Sequence, residues 1–414
     1  MQGTEKRLSV QQNMLMNTIG MMVYLVCQWL VGVLTVRLSG YADNGIYTLA
    51  VSLSNFFFVI ATFNLRHFQV SDVENRHSLG RYISTRLVTM GLSLAALLVF
   101  LLLNRQYSLH QSACILLYVL YRFSEALGDT FAAAEQKNSR MDYICVSMCL
   151  RGLLSLAVFV AALTLTHSLP LALLGMAVVC FAVVLLYDLR IVRRMHSFTL
   201  SLTRENCLPL LRIAWVLMIS SAMMTLLTAI PRYFLEYYHG SEVMGFYGAV
   251  ATPAVVVQAG CSFIYTPLVA PMAELWHKGD VKAFRATLLK TLIAVSLLMA
   301  VIVVGAALLG RWGLQLIFGE SILPYASLLI PVLFTTFFMA LLYLFEVPLT
   351  IIRHQKSMMV CHIAAVVLAL VLSVTLIPSM SMDGVNLIVC LCAGLDALVL
   401  GFMAFRAKKT DENH

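Results

Sequence analysis

Twelve apolar runs, each near the roughly 20 residues a helix needs to cross a hydrocarbon core of about 30 Å, succeed one another along nearly the whole chain. They are Met14 to Val36, Gly45 to Phe63, Ile83 to Leu103, Gln111 to Ala134, Tyr143 to Leu165, Leu169 to Leu186, Ile213 to Pro231, Gly245 to Pro267, Ala286 to Leu309, Leu323 to Val347, Met358 to Ile377 and Val385 to Phe405. In lipid every backbone N–H and C=O must be satisfied within the protein, so runs of this length are helices. Only 12% of the 414 residues are charged, against about 25% in soluble proteins. The chain therefore reads as an all-α polytopic membrane protein with 12 transmembrane helices. Its connections are too short to form an extramembrane domain.

The net charge of +8 is explained by topology, because the basic residues are dispersed through apolar sequence and form no nucleic-acid-binding face. With the amino terminus placed inside, 21 of the 28 Lys and Arg fall in cytoplasmic segments and four, Arg37, Arg105, Arg232 and Arg311, fall outside. That is the bias expected of cytoplasmic loops, and a missed helix would invert every later loop. Both termini are expected in the cytoplasm. Met1 to Gln12 is polar, and the run that follows is too long for a secretory h-region, so the first span is expected to remain in the mature protein. Nine of the ten cysteines lie in apolar runs and read as small packing residues, with Cys207 alone in a polar stretch. No ligand spacing points to a metal, and no cofactor is expected.

The longest polar stretch, Asp188 to Leu208, lies mid-chain and joins spans six and seven. It divides the chain into a six-helix bundle over residues 1–200 and a second over 201–414. Weak echoes link the halves. Gly45 and Tyr47 match Gly245 and Tyr247 at an offset of 200, Gly80 and Arg86 match Gly279 and Arg285 at 199, and Gln136-Lys137 matches Gln355-Lys356 at 219. Six spans per half give the halves the same sense in the membrane, so the expected repeat is parallel, with a pseudo-twofold along the membrane normal and a central cleft.

Ionisable residues at membrane depth are costly and face a partner or a watery cavity. Arg122, Glu125 and Asp129 stand at i, i+3 and i+7, on one helical face, and Arg151 lies in the next span at a depth similar to Glu125. Two readings stay open. The four form a neutral network pinning helix four to helix five, or at least one arginine borders the cleft and meets a phosphate, for which the guanidinium fork is suited. Arg37 and Arg232 close the first and seventh spans, as headgroup anchors or as an outer gate. Arg66 ends the second span, to receive an anionic headgroup or to snorkel. Asp396, deep in the last span, is a candidate for a coupling proton or cation, with Glu125 and Asp129 as further ion-network candidates, and the alternative for Asp396 is a hydrogen bond to a neighbouring helix. No P-loop, histidine pair at metal spacing or carboxylate pair in a large loop is present, so no catalytic residue is expected and transport is favoured over a membrane-embedded enzyme.

Several stretches resemble the lipid-linked oligosaccharide flippases of the multidrug/oligosaccharidyl-lipid/polysaccharide exporter superfamily. The most specific runs from Tyr121-Arg122 through Glu125-Ala126, Asp129, Gln136 and Arg140-Met141-Asp142-Tyr143 to Arg151-Gly152. It is supported by Arg66 to Asp72, Pro231-Arg232-Tyr233, Gly245-Phe246-Tyr247-Gly248 and Gly279-Asp280, and the likeness spans about residues 10 to 405. The resemblance implies two six-helix bundles facing a cleft, alternating access, and a cargo of undecaprenyl-pyrophosphate-linked oligosaccharide moved to the outer leaflet of the bacterial cytoplasmic membrane for cell-surface polysaccharide synthesis. Arg122, Arg151, Arg232, Arg66 and Arg37 suit a cationic cleft that holds the pyrophosphate. The partners implied are that cargo, the bilayer and other polysaccharide-assembly membrane proteins, with no nucleic acid, and the chain is expected to be a monomer. The lipid II flippase branch carries basic residues early in its first span, and cation-coupled drug exporters an acidic one. The first span of this chain has neither before Arg37, which sets the drug exporter, and after it a membrane-embedded polysaccharide enzyme, as the alternatives and favours the polysaccharide branch.

Overall fold

A computed structural model describes residues 9–72, 76–265 and 268–407. Lys6, Arg7, Lys408 and Lys409 of the charge bias, and Thr266 and Pro267 of the eighth run, lie outside the described residues. Among the described residues every regular element is helical: α1 (Val10–Ser39), α2 (Tyr41–Thr62), α3 (Leu65–Ser71), α4 (Leu79–Leu103), α5 (Leu109–Lys137), α6 (Met141–Thr166), α7 (Leu169–Val183), α8 (Leu189–Met195), α9 (Arg204–Tyr265), α10 (Val269–His277), α11 (Val281–Phe318), α12 (Leu329–Ile351) and α13 (Gln355–Arg406). A π-helical turn, Val184–Asp188, joins α7 to α8, and a 3₁₀ stretch, Glu320–Leu328, leads into α12. The apolar runs all fall in helix over their described residues, except Phe63, whose φ of 49° ends α2. Among the described residues nine helices are long and apolar enough to cross a membrane, and the chain is a multi-pass membrane protein. The charge-bearing α5 is not among those nine; it is the helix with the longest roll of buried residues in the first half of the chain.

Local chemistry sets the helix ends. Ser9 with Gln12 and Ser108 with Gln111 form reciprocal capping boxes that start α1 and α5, each satisfying two backbone donors that would otherwise be orphaned. Two long helices turn without a loop. α9 breaks at Gly240 (φ 84°, ψ 173°) and α13 at Ser381 (φ 51°, ψ −126°), so each carries two of the apolar runs. The joint between α1 and α2 is Gly40, at φ 88°, ψ −177°. Gly40 and Gly240 thus share a backbone conformation almost reserved for glycine at the same offset of 200 as the Gly45 and Gly245 echo.

The chain forms two compact units, Met1–Ala222 and Met223–His414. In the first, α5 packs against α2, α4, α6 and α7, while α1 lies along α6. That last contact is close because glycine leaves room for it. A Cβ on Gly20 would stand 2.7 Å from Cys145 Cα, and one on Gly152 3.2 Å from Tyr24 Cα, the small-residue packing by which membrane helices approach. The segment after α8 is tied to the start of α4. Ser201 N–H donates to Ser84 Oγ at 2.9 Å, Arg81 donates to the carbonyls of Asn206 (2.6 Å) and Glu205 (2.7 Å), and Gly80 leaves no space for a Cβ beside the Thr199 carbonyl. In the second unit the main packing is of α12 on α13, with α11 beside α12. Cys207 is buried, like most of the cysteines in the apolar runs.

Candidate functional site

The charged centre of the first unit begins where α2 stops. Phe63 and Asn64 both take left-handed conformations, with φ of 49° and 52°, and the last carbonyls of α2 lose their helical donors there. Arg86 of α4, fully enclosed, supplies a replacement. Its Nη1 donates to Ala61 O at 3.3 Å, its Nε to Thr130 Oγ1 at 2.8 Å and its Nη2 to Asp129 Oδ2 at 3.1 Å. Thr89 Oγ1 also donates to Ala61 O, at 2.6 Å. Arg66, one turn past the break, closes the other side of the same carboxylate through Nη1 to Asp129 Oδ1 at 2.7 Å, and its Nη2 reaches Gln136 Oε1 at 3.0 Å. Gln69 donates to the Thr130 carbonyl at 2.9 Å, and Asn64 Nδ2 donates to Leu217 O and Ser221 Oγ at 3.0 and 2.7 Å.

Asp129 is therefore taken up by Arg66 and Arg86, and the network that the sequence pattern groups with Arg122 and Arg151 splits in two. The physical reason is distance along the helix. Seven residues carry Asp129 about 10 Å along α5 from Arg122, and the buried guanidinium of Arg86 claims the carboxylate at that level. The second part is local to α5. Arg122 donates to Glu125 Oε2 and its guanidinium lies over the Phe58 ring at 4.0 Å. Tyr121 donates to Glu125 Oε1 at 3.1 Å and is hydrogen-bonded in turn to the Tyr24 hydroxyl. Tyr118 and Tyr47 extend this aromatic wall, with centroids 5.5 Å apart edge to face. Arg122 thus has one Nη and its ring-facing surface engaged, its Nε hydrogen-bonded to nothing, and a side chain 21% exposed. It is a fixed, partly accessible fork.

Arg151 is enclosed on α6, at 6% exposure, against Gly128 of α5, whose missing Cβ would stand 2.7 Å from Nη1. Its charge acts on three buried carboxylates, Glu125, Glu135 and Asp188. Both oxygens of Asp188, Glu135 Oε1 and Arg151 Nε have no hydrogen-bond partner. Arg37 is exposed in the last turn of α1. In the second unit the Arg232 guanidinium lies 5.8 Å from the ring of Tyr247, whose hydroxyl donates to Asn386 Oδ1 at 3.1 Å. Asp396 is buried and meets His362 across the two limbs of α13, 2.6 Å from Nδ1. Arg86, His362, Glu135 and Asp188 are members of these sites that sequence reasoning did not single out. Arg86 was legible as a charge inside a span opposite acidic α5, and His362 as a lone histidine in an apolar run.

Outside the spans, Asp72 organises the turn between α3 and α4. Partial burial works to raise its carboxyl, yet the backbone N–H groups of His77 and Arg76, the Lys137 ammonium and the Tyr82 hydroxyl together hold it below its ordinary value. The Lys137 ammonium itself donates to the Asp72 carbonyl at 2.6 Å. Arg140, at the start of α6, grips Asp142 fork to fork at 3.0 and 2.9 Å.

Residues 10–275 match the family described as polysaccharide biosynthesis protein. The capsular polysaccharide biosynthesis protein CapF of Staphylococcus aureus is 24% identical over 306 residues, 72% of this chain and 74% of that protein. Among solved structures, the lipid II flippase MurJ in an inward closed conformation superposes with a TM-score of 0.75 at 11% identity, over 94% of this chain and 87% of that one. The eukaryotic MATE transporter AtDTX14 superposes at 0.67 with 15% identity, over 95% and 94%. These two likenesses show the fold, and the extent of the family match shows the rest: the chain belongs to the polysaccharide biosynthesis protein family, and the flippase resemblance read from its motifs is borne out.

Proposed function

We propose that this protein moves an undecaprenyl-pyrophosphate-linked oligosaccharide from the cytoplasmic to the outer leaflet of the bacterial cytoplasmic membrane by alternating access, with both termini in the cytoplasm. The observation that carries the reading is Arg122. A guanidinium held over the Phe58 ring, anchored by Glu125 and still partly exposed is prepared for a phosphate contact at little cost in side-chain ordering. Arg66 and Arg37, and Arg232 in the second unit, are further cationic points for a diphosphate on its route. Arg151, whose charge reaches Glu125, Glu135 and Asp188, serves from behind by offsetting their charge and keeping α5 in place. The barrier the protein removes is polar. A sugar hydroxyl or phosphate oxygen stripped of partners in hydrocarbon costs several kcal/mol, on the order of 4 to 8 for each group on alkane scales.

The test is leaflet exposure of such an oligosaccharide lipid in proteoliposomes. Wild-type protein is expected to accelerate exposure, and Arg122→Ala to lose at least about tenfold of that rate, equivalent to one charge-assisted hydrogen bond of about 1.4 kcal/mol, while its thermal unfolding stays near wild type. Protein-independent exposure across several glycans, together with proton-dependent efflux of a cationic dye, overturns the reading in favour of a drug exporter.

A further inference from the structure

Three titratable side chains of the second unit meet inside the apolar runs. Glu346 of α12 and Asp396 of the second limb of α13 face the two ring nitrogens of His362 on the first limb. Nδ1 is 2.6 Å from Asp396 Oδ2, and Nε2 is 3.3 Å from Glu346 Oε1. The imidazole is 1% exposed and the Asp396 side chain equally so, whereas Glu346 is 20% exposed. By position along α13, Asp396 stands ten residues from Arg406, about 15 Å from that helix end at 1.5 Å per residue.

Proton counting makes this geometry informative. A neutral imidazole has one N–H donor and one lone pair. Set between two carboxylates, it could hydrogen-bond only one and would turn its lone pair on the other. Both contacts are made only when the three groups hold one proton more than that, as an imidazolium or as one protonated acid. The closed triad is the proton-loaded form, and release of the extra proton opens one of its two contacts.

We infer that His362, Glu346 and Asp396 form a proton-binding site that couples the transport cycle to a proton gradient, an inference that rests on the transport reading above. The surroundings suit an exchangeable site. Cys361 and Cys392 flank Asp396 and Tyr343 and Tyr265 flank Glu346, none of them charged near neutral pH. Asp396 Oδ1 has no hydrogen-bond partner, and Asp396 lines a groove of about 220 Å³ between the limbs of α13. Glu346, the most accessible member, is the natural port for the proton. It also precedes Pro348 in α12, where the missing backbone N–H weakens the helix, so loss of the Glu346 contact frees a segment already able to bend.

The experiment uses the full chain in proteoliposomes loaded with a pH-sensitive dye, with undecaprenyl-pyrophosphate oligosaccharide as cargo. A gradient of one pH unit, worth about tenfold in equilibrium distribution for one coupled proton, is expected to shift the exposure of cargo and to drive dye-reported proton entry. His362→Gln and Asp396→Asn lose the response to the gradient. A wild type that moves cargo but ignores the gradient, or a His362→Gln variant that responds like wild type, overturns the coupling while leaving the flippase intact. Absence of cargo movement in every sample is instead a failure of the transport reading. Proton uptake by the purified protein after an acid pulse then decides the site: wild type takes up about one more proton per chain than His362→Gln or Asp396→Asn, and uptake by either variant equal to that of wild type, with unaltered thermal unfolding, overturns it.

Discussion

Arg86 and Asp129 sit 3.1 Å apart, the arginine wholly enclosed and the aspartate partly open, so the same guanidinium that ends α2 by bonding Ala61 also positions the carboxylate that receives Arg66. A break in one helix and a charge pair between two others are a single piece of structure. Breaking it from either side has different consequences.

Arg86→Leu takes one donor from Asp129, which keeps Arg66, and one from the Ala61 carbonyl, which keeps Thr89, and leaves Thr130 Oγ1 without its own; it is expected to destabilise the folded protein by about 1 to 3 kcal/mol, the scale for buried polar atoms that lose a partner. Arg66→Ala removes a side chain 33% exposed and is expected to lower stability by less than about 1 kcal/mol. Thermal unfolding in detergent compares the two. Equal losses would show that Arg86 has no special place at the helix break.

Gly40 and Gly240 are both at positive φ, with no atom within 4 Å of the point a Cβ would occupy, so a side chain there meets backbone strain and no clash. Gly40→Ala and Gly240→Ala are each expected to lose about 1 to 3 kcal/mol. Gly91→Ala, in the interior of α4 with equally open space and no positive φ, is expected to be neutral or slightly stabilising. Urea or thermal denaturation of the three variants separates conformational strain from loss of space.

The depressed carboxyl of Asp72 fixes the sign of one pH effect. Its folded value lies below its ordinary 3.8, so its contribution is fully present above that pH and is lost as pH falls through the folded value. Asp72→Asn is expected to lower the unfolding temperature at neutral pH and to flatten its decline below about pH 4. An unchanged acid limb in the variant would place that sensitivity elsewhere.

Most of the architecture was legible because a hydrocarbon solvent leaves the backbone few choices. The lengths of the apolar runs located the helices, and the charges in α5 marked the centre of the first unit. Pairing was harder to read. Helical spacing placed Arg122, Glu125 and Asp129 on one face, but which basic side chain each carboxylate meets depends on α3 and α4, whose approach is governed by two left-handed residues at Phe63 and Asn64. Asn adopts that conformation more readily than most residues, but Phe does not, and nothing local marks the pair. His362 was hidden for a related reason: its partners lie on another helix and beyond the turn at Ser381, so no local spacing connects them.

The glycine contacts between α1 and α6 have a mechanical meaning. With Gly20 against the Cys145 backbone and Gly152 against that of Tyr24, the two helices interlock with too little slack to slide or hinge past each other. They form a rigid strut. Any stroke made by the first unit must find its compliance elsewhere, and the double left-handed corner at Phe63 and Asn64, braced by Arg86 from one side and by the Asn64 amide from the other, is one place in that unit where the backbone already bends.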